Sequence, residues 1–195
     1  MTNPLDLAAL ERLFLTARSR NAWAKEDLPD SIWHSLYDLL KMGPTSANVS
    51  PARFLFCTSS AAKARVAQHM SATNAAKSLD APAIVIIAQD LEFAQKIPQL
   101  FPHNPDAQYW FGDPKVKQDT AFRNATLQGA YLMIAARAIG LDCGPMSGYD
   151  QAALDADFFA GTAIQSNFLC ALGHGIDEPF ERLPRLPFGE ACQIM

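Results

Sequence analysis

Charge is scarce in this chain. Only 18% of the 195 residues are Asp, Glu, Lys or Arg, and 20 acidic against 16 basic groups leave a formal charge of −4. That balance offers no basic footprint for nucleic acid and no cationic face for an anionic membrane. Long apolar runs are missing too. The longest, Ala81–Ala88, falls far short of the roughly 20 residues that a membrane span requires. The opening residues, Met1-Thr-Asn-Pro-Leu-Asp6, lack the basic start and apolar run of a secretory leader, so the expectation is a cytoplasmic protein.

Cysteine is sparse and scattered. Cys57, Cys143, Cys170 and Cys192 form no Cys-x-x-Cys and have no histidine at zinc spacing, which makes them small core residues rather than ligands. His34, His69, His103 and His174 do not cluster, so neither a metal site nor a histidine-based triad is expected. The phosphate loop, the dinucleotide fingerprint Gly-x-Gly-x-x-Gly, His-Glu-x-x-His and the Gly-x-Ser-x-Gly elbow are all absent. An enzyme without its own nucleophile, metal or acid–base pair often borrows chemistry from an organic cofactor.

What is present describes a folded domain. Apolar residues make up 49% of the chain, enough to exclude wholesale disorder. A single domain of this length buries roughly 70% of its unfolded surface. The 13 prolines against 10 glycines imply stiff loops.

Along the chain, Leu5, Leu7, Leu10, Leu13 and Phe14 recur at helical spacing and predict an amphipathic helix over 5–17. Asp30 or Ser31 can cap a second helix carrying Ile32, Leu36, Leu39 and Leu40, with Gly43 beyond its end. A turn-rich stretch, 43–51, feeds a short strand over 53–57, and Ser59 or Ser60 can cap a helix reaching about His69. The run 83–89 fits a strand covered on both faces. The stretch 98–114 holds four prolines among Phe101, His103, Tyr109, Trp110 and Phe111, and predicts a loop or broken helix packed by its own aromatics. The longest helical pattern covers 120–139, with Phe122, Ala125, Leu132 and Ala136 on one face. Strands over 141–146 and 167–173 flank a helix over 152–159. The expected architecture is one α+β domain, residues 1–195, with a small mixed sheet sandwiched by helices.

Three segments carry candidate chemistry. Arg18-Ser19-Arg20-Asn21 combines planar cationic donors with a hydroxyl and an amide, a set suited to a phosphate dianion and equally to a solvated helix end. Pro44-Thr45-Ser46-Ala47-Asn48-Val49-Ser50-Pro51 offers hydroxyls and an amide that could edge a heteroaromatic ring, or form a plain capped turn. Gly144-Pro145-Met146-Ser147-Gly148 ends a strand where backbone can approach a flat ligand; an ordinary tight turn reads the same.

In this order, the segments resemble the FMN-dependent nitroreductase superfamily. Its basic Arg-Arg-Ser entry, Pro-Ser-x-x-Asn-x-Gln-Pro-Trp loop, Ala-rich helix ending in Gly-Leu, Pro-x-x-Gly turn and late Arg-Leu-Pro have counterparts here. They are Arg18-Ser19-Arg20, Pro44–Pro51, Asn124–Leu141, Pro145–Gly148 and Arg185-Leu186-Pro187, so the likeness spans essentially the whole chain. Gly-Pro-Thr-Ser-Ala-Asn at 43–48, Ser-Pro-Ala-Arg-Phe at 50–54 and Leu-Phe-Pro-His at 100–103 look most like the malonic semialdehyde reductase branch of pyrimidine utilisation. Departures from the broad family are Ala17 and Asn21 at commonly basic positions, Ser50 and Ala52 for Gln and Trp, Ser147 for Glu, and Leu183 for Lys.

The resemblance implies an intertwined homodimer with two FMN sites, each built from both chains. Arg18, Ser19, Arg20 and Arg185 would hold the phosphate. Pro44, Thr45, Ser46, Asn48 and Ser50 would come from the other subunit to the ring and ribityl chain, and Pro145, Met146, Ser147 and Gly148 would lie along the isoalloxazine. NADH or NADPH would be the reductant and a small aldehyde, or another hydride acceptor, the substrate. Arg123 and His103 are the candidate partners of an acidic substrate; no residue stands out as a general acid. The alternatives are a broad nitroreductase, quinone or enoyl reductase, and a flavin-binding protein without turnover.

Overall fold

The computed structural model describes residues 3–176 and 181–195; Met1 and Thr2, where the leader reading begins, lie outside them. The core is organised by β2 (Ala83–Asp90), whose first seven residues are all buried. Alternation sends Val85 and Ile87 to one side and Ile84 and Ile86 to the other, which is why this run reads as apolar throughout rather than every second residue. β1 (Ala52–Cys57) pairs along one edge of β2 and β4 (Ile164–Gly173) along the other; β3 (Asp142–Met146) completes the order β1-β2-β4-β3.

Each of these pairings is antiparallel, which corrects the expected mixed sheet. The parallel contact among the described residues is an isolated bridge, Ser19 to Cys143, where the N-terminal segment runs beside β3 without forming a strand. The sandwich itself is as expected. On one face α2 (Asp30–Leu40) places Trp33, Leu36 and Leu40, and α6 (Pro114–Ala138) places Leu132, Ala135 and Ala136, against Val85, Ile87 and Leu172. On the other, Val66 of α3 (Ser60–Ala67) and Leu154 of α7 (Gln151–Phe158) meet Ile84, Ile86 and Leu169.

α6 starts six residues before the expected Thr120. Asp113 caps it by accepting from the backbone N–H groups of Lys115 and Val116, and Pro114 takes the first helical position, where its missing N–H costs nothing. Its buried face runs through Ala121, Ala125, Leu132 and Ala136, which turns Phe122 outward to 53% exposure rather than inward as expected. Gly129 allows the helix to lie close to the sheet, because a Cβ there would sit 2.5 Å from the Phe168 ring.

The N-terminal helix also differs. A short α1 (Leu7–Leu10) passes into a π-helical turn, Glu11–Leu15, and Leu5, Leu7 and Leu10 face out instead of into the core. A helix the sequence reading missed, α4 (Ala72–Ser78), is capped by Ser71. The proline-rich stretch forms the short α5 (Ile97–Leu100) and 3-10 turns over Pro105–Phe111. Phe93, Ile97, Ala107 and Phe111 pack there with Val49 and Ala121, so the broken helix is as expected, but Phe111 and the partly buried Phe101 supply its aromatic packing while His103, Tyr109 and Trp110 are exposed. Residues 181–195, including the short α8 (Phe188–Ala191), are exposed throughout. No helix among the described residues is long and apolar enough to cross a membrane.

Candidate functional site

Segment 18–23 is pinned before its side chains do anything. The Arg20 N–H donates to the Cys143 carbonyl at 3.0 Å, joining the segment to the free edge of β3. Gly144 permits this approach: a Cβ there would lie 2.8 Å from the Arg20 carbonyl oxygen and 2.9 Å from the Trp23 ring. Trp23 is buried and donates its indole N–H to the Lys77 carbonyl at 2.7 Å, tying the segment to the end of α4.

From this anchored start, Arg18 and Ser19 face a cavity of about 390 Å³ that also gathers Arg137, Arg182 and Arg185. Four guanidinium groups therefore share one hollow, with Glu181 the acidic residue in its lining. Arg137 and Arg182 are held by main-chain carbonyls: Arg137 donates to Leu13 at 3.1 Å, and Arg182 to Leu15 at 2.7 Å and Ala17 at 3.0 Å. Arg18 donates through Nη1 to Ala17 at 3.0 Å, while its buried Nε has no hydrogen-bond partner among the described residues. Partial desolvation, followed by the Arg18, Arg185 and Arg137 charges, lowers the pKa of Arg182 from its ordinary value. Like charges gathered at such a cost, with a buried donor left over, match a doubly charged phosphate ester.

The structure thus brings Arg18, Ser19 and Arg185 together, and adds Arg137 and Arg182, which the sequence reading missed. Arg182 stands three residues before Arg185 and Arg137 in the last turn of α6, but only the passage of the C-terminal segment over residues 14–17 joins them. Arg20 turns away, 3.6 Å from Asp142 in an ion pair.

A smaller hollow of about 50 Å³ shares Ser19 and Asn21 with the arginine cavity and is lined by Arg20, Pro145 and Met146. It also contains Asn74 and Lys77, two further residues missed from sequence; their i,i+3 spacing behind the Ser71 cap is the signal that could have found them. The Asn74 side-chain amide donates to the Gly148 carbonyl at 3.0 Å and so fixes the turn that follows β3. Ser147 and Gly148 are exposed beside it.

The 44–50 loop lies elsewhere: none of its residues lines the arginine cavity. It is tightly wound. Ala47, Asn48 and Ser50 all have positive φ, of 45°, 52° and 39°, conformations that cost about 1 kcal/mol or more for residues other than glycine. Ser50 N–H donates to Thr45 Oγ1 at 3.1 Å, and Asn48 Nδ2 to the Leu100 carbonyl at 2.7 Å. Those bonds engage the Thr45 oxygen as an acceptor and one Asn48 donor, while the exposed Pro44 and Ser46 face outward.

The two substrate candidates stand apart from the arginine cavity. His103 is exposed, its ring tilted against that of Phe101 with 3.9 Å between centroids. Arg123 lines an open hollow of about 620 Å³ on the outer face of α6 with Asp119, Phe122, Thr126 and Leu127. Among the described residues, no group of three or more His, Cys, Asp or Glu side chains could hold a metal ion.

A protein from Caulobacter vibrioides strain NA1000, named "Putative NADH dehydrogenase/NAD(P)H nitroreductase", is 56% identical over 192 residues covering 98% of each chain. HadB of Ralstonia pickettii, named in the same way, is 50% identical over the full length of both. Among solved structures, an Exiguobacterium sibiricum protein described as "a putative nitroreductase in complex with FMN" superposes with a TM-score of 0.87 over 100% of both chains, at 18% identity. The enone reductase CLA-ER, from gut-bacterial fatty acid metabolism, gives 0.82 over 98% of this chain and 100% of its own, at 17% identity. The model of the Nitroreductase family matches residues 2–175, and the chain belongs to that family.

Proposed function

We propose that the protein is a cytoplasmic, homodimeric NAD(P)H oxidoreductase that works through bound FMN. The observation that carries this reading is the convergence of Arg18, Arg137, Arg182 and Arg185 on one cavity, with the buried Arg18 Nε left unsatisfied among the described residues. The ribityl phosphate of FMN supplies the dianion this donor set calls for, with Ser19 adding a neutral hydroxyl. The names of relatives at 50% and 56% identity support NAD(P)H as the reductant, and the FMN complex of the similar fold supports the cofactor.

FMN, when bound, supplies a hydride carrier between nicotinamide and acceptor. The chain's part is to bind, orient and exclude. Arg18, Ser19 and Arg185 hold the phosphate, with Arg137 and Arg182 beside them, and Arg20 shapes the adjoining hollow. Pro145 and Met146 line the adjoining hollow, Ser147 and Gly148 form the turn beyond them that Asn74 steadies, and together they would lie along the ring. Pro44, Thr45, Ser46, Asn48 and Ser50 serve the site of a second copy, since their loop stands outside the arginine cavity of its own chain.

For the acceptor we propose malonic semialdehyde, reduced to 3-hydroxypropionate in pyrimidine degradation, with the proton coming from water. The support is the set of sequence stretches at 43–48, 50–54 and 100–103 that resemble that branch. A broad nitroreductase is the competing reading, favoured by the names of the relatives. Turnover of a panel of malonic semialdehyde, a nitroaromatic, a quinone and an enone, with each nicotinamide, separates the two. Fastest turnover of malonic semialdehyde is expected; faster turnover of the other three would replace it as the acceptor.

A further inference from the structure

The 45–52 loop adopts three left-handed residues in sequence that contains no glycine, so something outside it must hold it. Two polar side chains buried on α6, one turn apart, meet that need. Asn124, 1% exposed, accepts the Ser46 N–H on Oδ1 at 2.9 Å and donates its own amide to the Thr120 carbonyl at 2.9 Å. Gln128, 5% exposed, accepts the Ala52 N–H on Oε1 at 2.9 Å. One bond falls at the start of the strained stretch and the other just past its end, where β1 begins. Other ties hold other points: Thr45 Oγ1 closes the loop on itself, Arg53 donates to the Ser50 carbonyl at 3.3 Å, Asn48 Nδ2 donates to the Leu100 carbonyl at 2.7 Å, and the Pro51 carbonyl accepts the Asp90 N–H at 2.9 Å; Asn124 and Gln128 are the two side chains that hold the backbone N–H groups at its two ends.

We infer that Asn124 and Gln128 are positioning residues, which clamp the loop from the rigid central helix and so fix how Ser46, Asn48 and Ser50 meet the flavin ring. The inference rests on the function proposed above. It assigns the two amides a task that their burial alone does not require: an apolar pair at these positions would fill the same space and leave the Ser46 and Ala52 N–H groups unpartnered.

The test uses Asn124→Leu, Gln128→Met and the acceptor-retaining Gln128→Glu, with the full-length protein and FMN as the probe. Amide exchange of 45–52 is followed without flavin, then FMN affinity by fluorescence quenching and the visible spectrum of the bound flavin. Asn124→Leu and Gln128→Met are expected to speed exchange in 45–52 but not in β2. Each is expected to weaken FMN about tenfold, as the loss of one hydrogen bond implies, and to shift the flavin spectrum. Gln128→Glu is expected to restore wild-type exchange and affinity. Unchanged exchange, or faster exchange with unchanged affinity and spectrum, overturns the inference. Wild-type protein that takes up no FMN overturns the function reading instead.

Discussion

At the scale of single residues, the arginine cavity is where folding and function pull against each other. Arg182 carries a charge that its neighbours Arg18, Arg185 and Arg137 disfavour, and it is held in place by three carbonyls of the preceding segment. An anion reverses the sign of that balance. Arg18→Ala and Arg185→Ala are each expected to weaken FMN roughly ten- to a hundredfold, the worth of a charge-assisted hydrogen bond, as measured by fluorescence titration. The thermal midpoint of the flavin-free variants should hold or rise, because a repulsive charge has gone. A fall in the flavin-free midpoint with unchanged affinity would assign these arginines to the fold alone.

At the scale of elements, α7 is joined to α3 by a charged clasp. Asp157 accepts from Arg65 at 2.7 and 2.9 Å and contacts the His69 ring nitrogen at 3.0 Å, while Arg65 lies 4.2 Å from the centre of the Phe158 ring. The Arg65 hydrogen bond first, then that of His69, lowers the Asp157 carboxyl from 3.8 to about 2. A carboxylate with a depressed folded-state pKa lends stability that is complete above its unfolded value and is lost as pH falls through about 2. Thermal melts should therefore show Asp157→Asn less stable than wild type at pH 7, with the gap narrowing from pH 4 toward pH 2.

Which elements could be read in advance follows from the same physics. β2 was legible because burial on both faces leaves an unbroken apolar run, and α2 because Ile32, Leu36, Leu39 and Leu40 keep helical spacing, although the structure buries Trp33 beside Leu36 and Leu40 and leaves Leu39 exposed. α4 was not, since its Ala-Thr-Asn-Ala-Ala-Lys-Ser sequence buries a single serine and shows no apolar stripe. The start of α6 was written in Asp113 and Pro114 but outweighed by the prolines around it. In the site, Arg18 and Ser19 stood out by chemistry and Arg185 through the family resemblance, whereas Arg137 and Arg182 become neighbours only through tertiary packing. The left-handed turn at Ala47 could not be read at all, because alanine has no preference for it and the ties around it come from Leu100 and from α6, which are remote in sequence.

At the scale of the whole molecule, the described chain leaves much apolar surface outside its core. Leu183, Leu186, Phe188 and Ile194 of the C-terminal segment are at least 63% exposed, and Phe122 and Leu127 stand on the outer face of α6. A second copy is the occupant that the proposed function calls for, since it would cover these faces and bring its 44–50 loop to the arginine cavity. Sedimentation is expected to give the mass of two 21.3 kDa chains. Phe188→Asp should lower both dimer content and FMN affinity, and a monomer that keeps full affinity would contradict a shared site.

The central claim, that this fold carries hydride from nicotinamide through FMN, is tested most directly by one spectrum. FMN-loaded protein is mixed anaerobically with NADH or NADPH, and the visible flavin band is followed. The account predicts bleaching by at least one nicotinamide and recovery of the band when an acceptor is added. A band that persists with both nicotinamides would contradict it, leaving a protein that binds flavin without turning over.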